Sequence, residues 1–344
     1  MHRIRYSFRS CLCALFVVVG CGSNQIQTGT NNPPVTNPPD PPSSTTPSSV
    51  TEPSVYVVGS SVLVFPQTAK GATKATLEIP GAQVSVDEAG NVYVFTGSAI
   101  NEYLATALNG PPIRSLSVGP GTAVSNVQDV MASSTGEIFV SSSGGVAVFS
   151  PTATGNASPS RNILGRPEPT EADIFVFSPG FIAVDGSDQL YVQNTYDSTI
   201  EVFGPTDTGY VVPARTISGP LTRVSGSGNY ITGMTTDTAG NLYVLCLCGG
   251  IDGTGVGEFG VFEFDHAANG NVAPTRIFTS PEMYPFFYNN GVGVSTDGTI
   301  YVSGGTNGGI PTVFEFSPSS SGGVTNTVTL AGWTSADSSR IAVH

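Results

Sequence analysis

The sequence predicts an all-β protein, a six-bladed β-propeller with four-stranded blades whose C-terminal strand completes blade one. Three observations carry this prediction. A four-strand unit recurs six times, the composition favours strands and tight turns over helices, and the last few residues supply the one strand that the first repeat lacks.

The unit is clearest in the middle of the chain. It reads Phe181-Ile-Ala-Val-Asp185, then Gln189-Leu-Tyr-Val192, then Ile200-Glu-Val-Phe203, then Pro213-Ala-Arg-Thr-Ile217. Each piece is a β-branched or alternating run of strand length bounded by turn residues. Four such strands in sequence form a meander, the composition of one propeller blade. The second strand recurs as Val55-Tyr56-Val57, Val92-Tyr93-Val94, Ile138-Phe139-Val140, Leu190-Tyr191-Val192, Leu242-Tyr243-Val244 and Ile300-Tyr301-Val302. The third recurs at Val62–Phe65, Ile100–Tyr103, Val146–Phe149, Ile200–Phe203, Val261–Phe264 and Val313–Phe316. Spacing between aromatic landmarks grows from 37 residues (Tyr56 to Tyr93) to 58 (Tyr243 to Tyr301), so strand cores stay constant while connections lengthen.

Composition agrees. Charged residues are only 11% of the chain and glycine is abundant at 42 residues, which suits many tight turns because glycine supplies positive φ. Acidic residues outnumber basic ones 25 to 12, which disfavours nucleic acid as a partner. The first repeat has no first strand before Val55, and Ser339-Arg-Ile-Ala-Val343 matches the pattern Ile182-Ala-Val184. A closing strand there removes the open sheet edge that would otherwise invite pairing with other chains.

Ahead of the repeats, residues 1–20 read as a signal peptide. Arg3, Arg5 and Arg9 precede an apolar run from Cys11 to Val19, too short for the roughly 20 residues of a membrane span. The run ends in Val18-Val19-Gly20-Cys21, which resembles the lipobox of bacterial lipoproteins. That resemblance implies cleavage before Cys21 and lipidation of its side chain, tying the protein to a membrane. Loss of residues 1–20 removes three arginines and no acids, moving the formal charge from −13 to −16. Residues 21–53, with Pro33-Pro34, Pro38-Pro39 and Pro41-Pro42, read as a disordered tether, because so polar a segment cannot bury enough surface to offset its ordering entropy. Gly22 lacks the aspartate that retains some lipoproteins at the inner membrane, so an outer-membrane location in the cell envelope is expected. The propeller spans residues 54–344.

The run Pro179-Gly-Phe-Ile-Ala-Val-Asp185, with Gln189–Val192 and Ile200–Phe203, resembles the NHL repeat, whose relatives include gluconolactonase-like and strictosidine-synthase-like propellers. The likeness covers the six blades and departs from the pattern at Ser133 and Ser295, which replace the turn aspartate. It implies architecture more than activity.

Repeated polar positions are read as parts of the blade. Asp87 and Asp237 sit in Asp-x-x-Gly turns and Asp185 in the equivalent turn Asp185-Gly-Ser-Asp188, where the side chain bonds its own turn, and Arg114, Arg161, Arg215 and Arg276 recur two residues after a proline. A unique site is expected on the face carrying the connections of variable length, Arg166–Gly180, Gly249–Gly260, Pro281–Asn290 and Gly304–Pro311, since binding groups concentrate on loops held by a rigid scaffold. Its candidates for a protein or carbohydrate ligand are Tyr196, Asp197, Tyr230, Asp252, Tyr284, Phe287, Tyr288 and Asn307, aromatic and polar groups suited to such surfaces. The same face carries Phe175 and Phe177.

No catalytic residue, cofactor or metal is assigned, and a monomer is expected. The alternative that the resemblance implies is a metal-dependent hydrolase or lyase. It needs carboxylates at the axial ring, where Gln83, Gln128, Phe181, Thr232 and Gly293 are read as opening the first strands, with Asp129 nearby. His266 and His344, the histidines beyond the signal peptide, are read on the opposite face. Cys246 and Cys248 stand two apart on one side of a strand, where regular geometry separates Cα atoms by about 6.5–7 Å, at the limit for a disulfide. A bond would require the strand to break early; two buried thiols are the other reading.

Overall fold

The computed structural model describes residues 53–165, 177–225, 228–248, 258–283, 290–306, 310–319, 326–330 and 340–344. Residues 1–52, with Cys21 and all but the last residue of the expected tether, lie outside these residues, as do the ligand candidates Asp252, Tyr284, Phe287, Tyr288 and Asn307.

The strands form six antiparallel meanders. Blade one comprises β1 (Ser54–Val58), β2 (Val62–Pro66) and β4 (Leu77–Ile79), with β25 (Ile341–Val343) innermost, in the order β25-β1-β2-β4. Blade two runs β5 (Gln83–Val86), β6 (Val92–Phe95), β7 (Ala99–Tyr103) and β8 (Arg114–Ser117). Blade three runs β9 (Val127–Ala132), β10 (Ile138–Ser142), β11 (Gly145–Phe149) and β12 (Arg161–Ile163). Blade four holds β13 (Pro179–Val184), β14 (Leu190–Asn194), β15 (Thr199–Phe203) and β16 (Arg215–Ile217). Blade five holds β17 (Tyr230–Thr236), β18 (Leu242–Cys248), β19 (Glu258–Phe264) and β20 (Arg276–Thr279). Blade six is β21 (Gly291–Val294), β22 (Ile300–Gly305), β23 (Pro311–Phe316) and β24 (Asn326–Leu330), to which β3 (Gly71–Thr73) adds a fifth strand.

The innermost strands touch in a closed cycle, β25 to β5, β9, β13, β17, β21 and back to β25, so they line the axis. β25 pairs antiparallel with β1 through Val55–Val343, Tyr56–Ala342 and Val57–Ile341, which closes the ring as the sequence predicts. Of the residues read as opening the first strands, Gln83 does so, whereas Gln128 is second in β9 and Phe181, Thr232 and Gly293 are third in β13, β17 and β21; a Cβ on Gly293 would come within 2.8 Å of Val343. The core lies between neighbouring blades: Phe139, Val146 and Val148 of blade three pack on Ile182, Leu190, Val192 and Phe203 of blade four. Blades five and six make the equivalent contact through Val261, Phe278, Ile300, Phe314 and Phe316. Each such side chain contributes about 1.5–3 kcal/mol when fully buried.

A second device joins the blades, and the repeat pattern contained its parts without showing their use. After the third strand the chain turns through a glycine that reaches back to the outer strand of the preceding blade. Gly155, Gly209 and Gly270 form parallel bridges to Leu116, Ile163 and Ile217. Their φ angles of 58°, 73° and 72° lie in the left-handed region open to glycine. The Gly270 amide, for example, donates to the Thr216 carbonyl at 2.7 Å, and its own carbonyl accepts from Ser218 at 3.1 Å. β3 makes the same step from blade one to blade six, where Gly71 pairs with Val328.

The repeated arginines strengthen these joints. Arg114 pairs with Glu102 at 2.5 Å, donates to the carbonyls of Ser150 (3.1 Å) and Pro151 (2.6 Å) in the next blade, and stacks over Tyr93 at 5.8 Å. Arg161 reaches Glu137 and the Asp207 carbonyl, and Arg215 the carbonyls of His266 and Ala268. Arg276 pairs with Glu263 and donates to the Pro318 carbonyl.

The turn aspartates behave as their pattern predicts. Asp87 accepts from the amides of Ala89 and Asn91, Asp185 from Ser187 and Gln189, and Asp237 from Ala239 and Asn241. In blade six, where Ser295 replaces the aspartate, Asp297 takes over two residues later: it accepts from Ser295 Oγ at 2.6 Å and the Thr299 amide at 2.9 Å.

Candidate functional site

Two regions could bind a ligand. The first is the face bearing the connections of variable length, and blades four and five build its described part. Asn194, fully buried at the end of β14, accepts through Oδ1 from the amides of Tyr196 (3.2 Å) and Ser178 (3.1 Å). This fixes the β14–β15 turn so that Tyr196 projects with 61% of its surface exposed. Asp197 accepts from Thr199 Oγ1 at 2.6 Å within the same turn. Ser225 Oγ donates to the Ser198 carbonyl at 2.7 Å, tying the connection into blade five against this turn. Tyr230 opens β17 on the same face, 47% exposed, and Leu221 stands 58% exposed in that connection. The structure thus places Tyr196, Asp197 and Tyr230 at one end of two adjacent blades. Phe177, by contrast, is no surface group: it is 9% exposed and packs edge-on against Phe203, with centroids 5.7 Å apart.

Cys246 and Cys248 lie below this edge, both buried and joined as a disulfide with Cα atoms 5.4 Å apart. β18 does not break to allow the bond. Its ladder to β19 continues to Cys248, and the strand shortens locally instead.

The second region is the axis. On the face of the first-to-second-strand turns, a cavity of about 420 Å³ opens among all six blades. Asp87, Asp185, Asp237 and Glu88 stand at its rim with His344, over a floor that includes Met131 and Val294. Its size falls within the range of about 300–1,000 Å³ typical of small-molecule sites. Both histidines lie on this face. The His344 ring approaches the Glu88 carbonyl at 3.4 Å, and His266 lies by the Gly240 turn, 60% exposed and 3.5 Å from Asp265.

Toward the variable-loop face the axis narrows to a space of about 60 Å³ that Arg340 helps to line. Arg340 Nη2 contacts Oδ1 of Asp129 on β9, and its guanidinium lies 4.5 Å from the centre of the Phe181 ring on β13. Asp129, 1% exposed, also accepts from the amides of Val130 (2.7 Å) and Ile182 (2.9 Å). Burial pushes its carboxyl above the usual aspartate range, and Arg340 with the two amides pulls it part of the way back. Gln83 Nε2 donates to the Gln128 carbonyl at 2.9 Å beside it. The sequence signal for this cluster was a lone carboxylate at the start of an inner strand; its partner, more than two hundred residues away, carried none.

Fold and site together describe a closed six-bladed propeller with an ion pair on its axis. No known family profile matches the chain, and no curated protein resembles it in sequence. Among solved structures it is similar to a protein of unknown function from Bacteroides caccae, at 12% identity and a TM-score of 0.51, covering 85% of this chain and 99% of that one. A chain of a mitotic checkpoint complex aligns at 13% identity and a TM-score of 0.42, over 90% of this chain and 76% of that one. The first likeness is one of fold.

Proposed function

We propose that the protein is a cell-envelope lipoprotein, lipidated at Cys21, whose NHL-type propeller binds a protein or carbohydrate ligand on its variable-loop face without catalysing a reaction. One observation carries the binding reading: Tyr196 and Tyr230 are both exposed at the same end of two adjacent blades, Tyr196 on a turn that Asn194 and Ser225 hydrogen-bond and Tyr230 at the start of β17. Amphipathic aromatic side chains on a preorganised scaffold supply contact area at little entropic cost. The non-catalytic reading draws support from Asp129, the carboxylate that the sequence places near the openings of the first strands, which is engaged by Arg340 and two amides.

The test uses the full-length chain on liposomes, probed against a glycan array and by cross-linking to envelope proteins, with a Tyr196→Ala/Tyr230→Ala pair as comparison. Loss of at least about tenfold in capture, about 1.4 kcal/mol, is expected. Undiminished capture by the pair would remove the assignment of this face. Anchoring is read separately: radiolabelled palmitate enters the wild type, and Cys21→Ser abolishes incorporation.

A further inference from the structure

We infer that Asp129 and Phe181 form a guanidinium-binding site on the propeller axis, and that Arg340 is its resident ligand, bolting the closing strand across the ring. The three residues belong to three different blades: Asp129 to blade three, Phe181 to blade four and Arg340 to the chain that enters β25 in blade one. The receptor is built independently of its occupant. The Val130 amide holds Oδ1 at 2.7 Å and the Ile182 amide holds Oδ2 at 2.9 Å, so the carboxylate stays oriented whether or not a cation faces it. The Phe181 ring forms one wall at 4.5 Å, a distance suited to a flat, weakly hydrated cation. A fully buried carboxylate with amide-fixed oxygens and an aromatic wall is the chemistry that selects a planar guanidinium over a compact, strongly hydrated ammonium.

The placement gives the site a role. β25 has only three residues, and its ladder to β1 spans three pairs. The bolt adds a contact to blades three and four, across the axis, at the residue immediately before that short strand. It also helps line the narrow space of about 60 Å³ on the variable-loop side of the 420 Å³ cavity.

Chemical rescue tests the inference. Arg340→Ala in the full-length chain leaves the receptor empty, and millimolar methylguanidinium is titrated while the thermal midpoint is followed. The expected result is a saturable rise in midpoint for Arg340→Ala, little change for wild type, and a response to methylammonium at least about tenfold weaker in concentration. Arg340→Ala/Asp129→Asn, which lacks the carboxylate, shows no rescue. If Arg340→Ala does not fold alone, the readout becomes recovery of the native circular dichroism on adding methylguanidinium, and failure to recover refutes the site. Equal rescue of the single and double variants, or equal response to the two cations, also overturns it.

Discussion

Replacing Arg114 by methionine measures what the blade-to-blade arginine staples contribute. Methionine preserves much of the aliphatic stem and removes the charge. Arg114 and Glu102 retain 9% and 12% of their side-chain exposure, so the pair is largely withdrawn from water. The substitution strands the Glu102 carboxylate and leaves the carbonyls of Ser150 and Pro151 in the next blade without this donor. Breaking a buried pair from one side costs about 3–5 kcal/mol. The lower end applies because the staple sits at the outer rim of the ring, where water can reach a stranded group. About 3 kcal/mol corresponds to roughly a 150-fold fall in the folded-to-unfolded ratio. Urea titration followed by circular dichroism reads this as a lower midpoint at unchanged slope. Glu102→Gln/Arg114→Met removes the stranded charge and should recover about half of the loss. A cost below about 1 kcal/mol, or a double variant no more stable than Arg114→Met, would refute the argument from the stranded carboxylate.

Three further outcomes follow from the same physics. Burial holds Tyr56 at about 12 and raises Tyr93, Tyr191, Tyr243 and Tyr301 as well. Their unfolded counterparts ionise near about 10, so the unfolded chain loses protons first and stability falls as pH rises above about 10. Phenolate absorbance from these five residues should therefore appear together with loss of circular dichroism, and phenolate from any of the five in a folded protein would contradict the burial argument. Asp297 is held below the usual range, chiefly by the Ser295 hydroxyl, so its contribution is present above about pH 4 and lost as pH falls through its lowered value. Asp297→Asn should flatten the acid limb of the stability curve, and an unchanged limb would exclude that role. For Cys246 and Cys248, a chain denatured without reductant should show no reactive thiol from this pair, and two after reduction. Closing a three-residue loop stabilises by only about 1.5 kcal/mol, the loss expected in Cys246→Ser/Cys248→Ser; two thiols before reduction would disprove the bond.

The architecture was readable because every blade repeats one short-range pattern. Strand cores such as Leu190–Val192 and turns such as Asp185–Gln189 are decided by neighbours in sequence, and six copies reinforce each other. The closing strand was legible for the same reason, since Ile341–Val343 copies a pattern already seen. The staples were only half legible: Arg114, Arg161, Arg215 and Arg276 stood out as repeated, but their acceptors in the next blade are backbone carbonyls, which leave no mark on residue identity. Asp129 was legible as a carboxylate near the axial ring, but its pairing with Arg340 was beyond reach of pattern reasoning because each occurs once and the pair is made by ring closure. Phe177 misled because an aromatic residue in a long connection reads equally well as exposed or as packed on Phe203. The i, i+2 disulfide was underestimated because ideal strand spacing leaves out the local shortening that brings the Cα atoms to 5.4 Å.

The seam of the ring also sets how the domain bears mechanical load. Where the chain enters at Ser54, its amide donates to the His344 carbonyl at 2.8 Å, and its carbonyl accepts from the His344 amide at 3.0 Å. Tension on the chain at Pro53 therefore enters β1, which is paired on one side with β25 and on the other with β2. A pull along β1 loads both ladders in shear, because their hydrogen bonds run across the strand and share the force, whereas peeling would break them one at a time. A domain dragged by this segment should thus yield at blade one as a unit, with its two ladders resisting together.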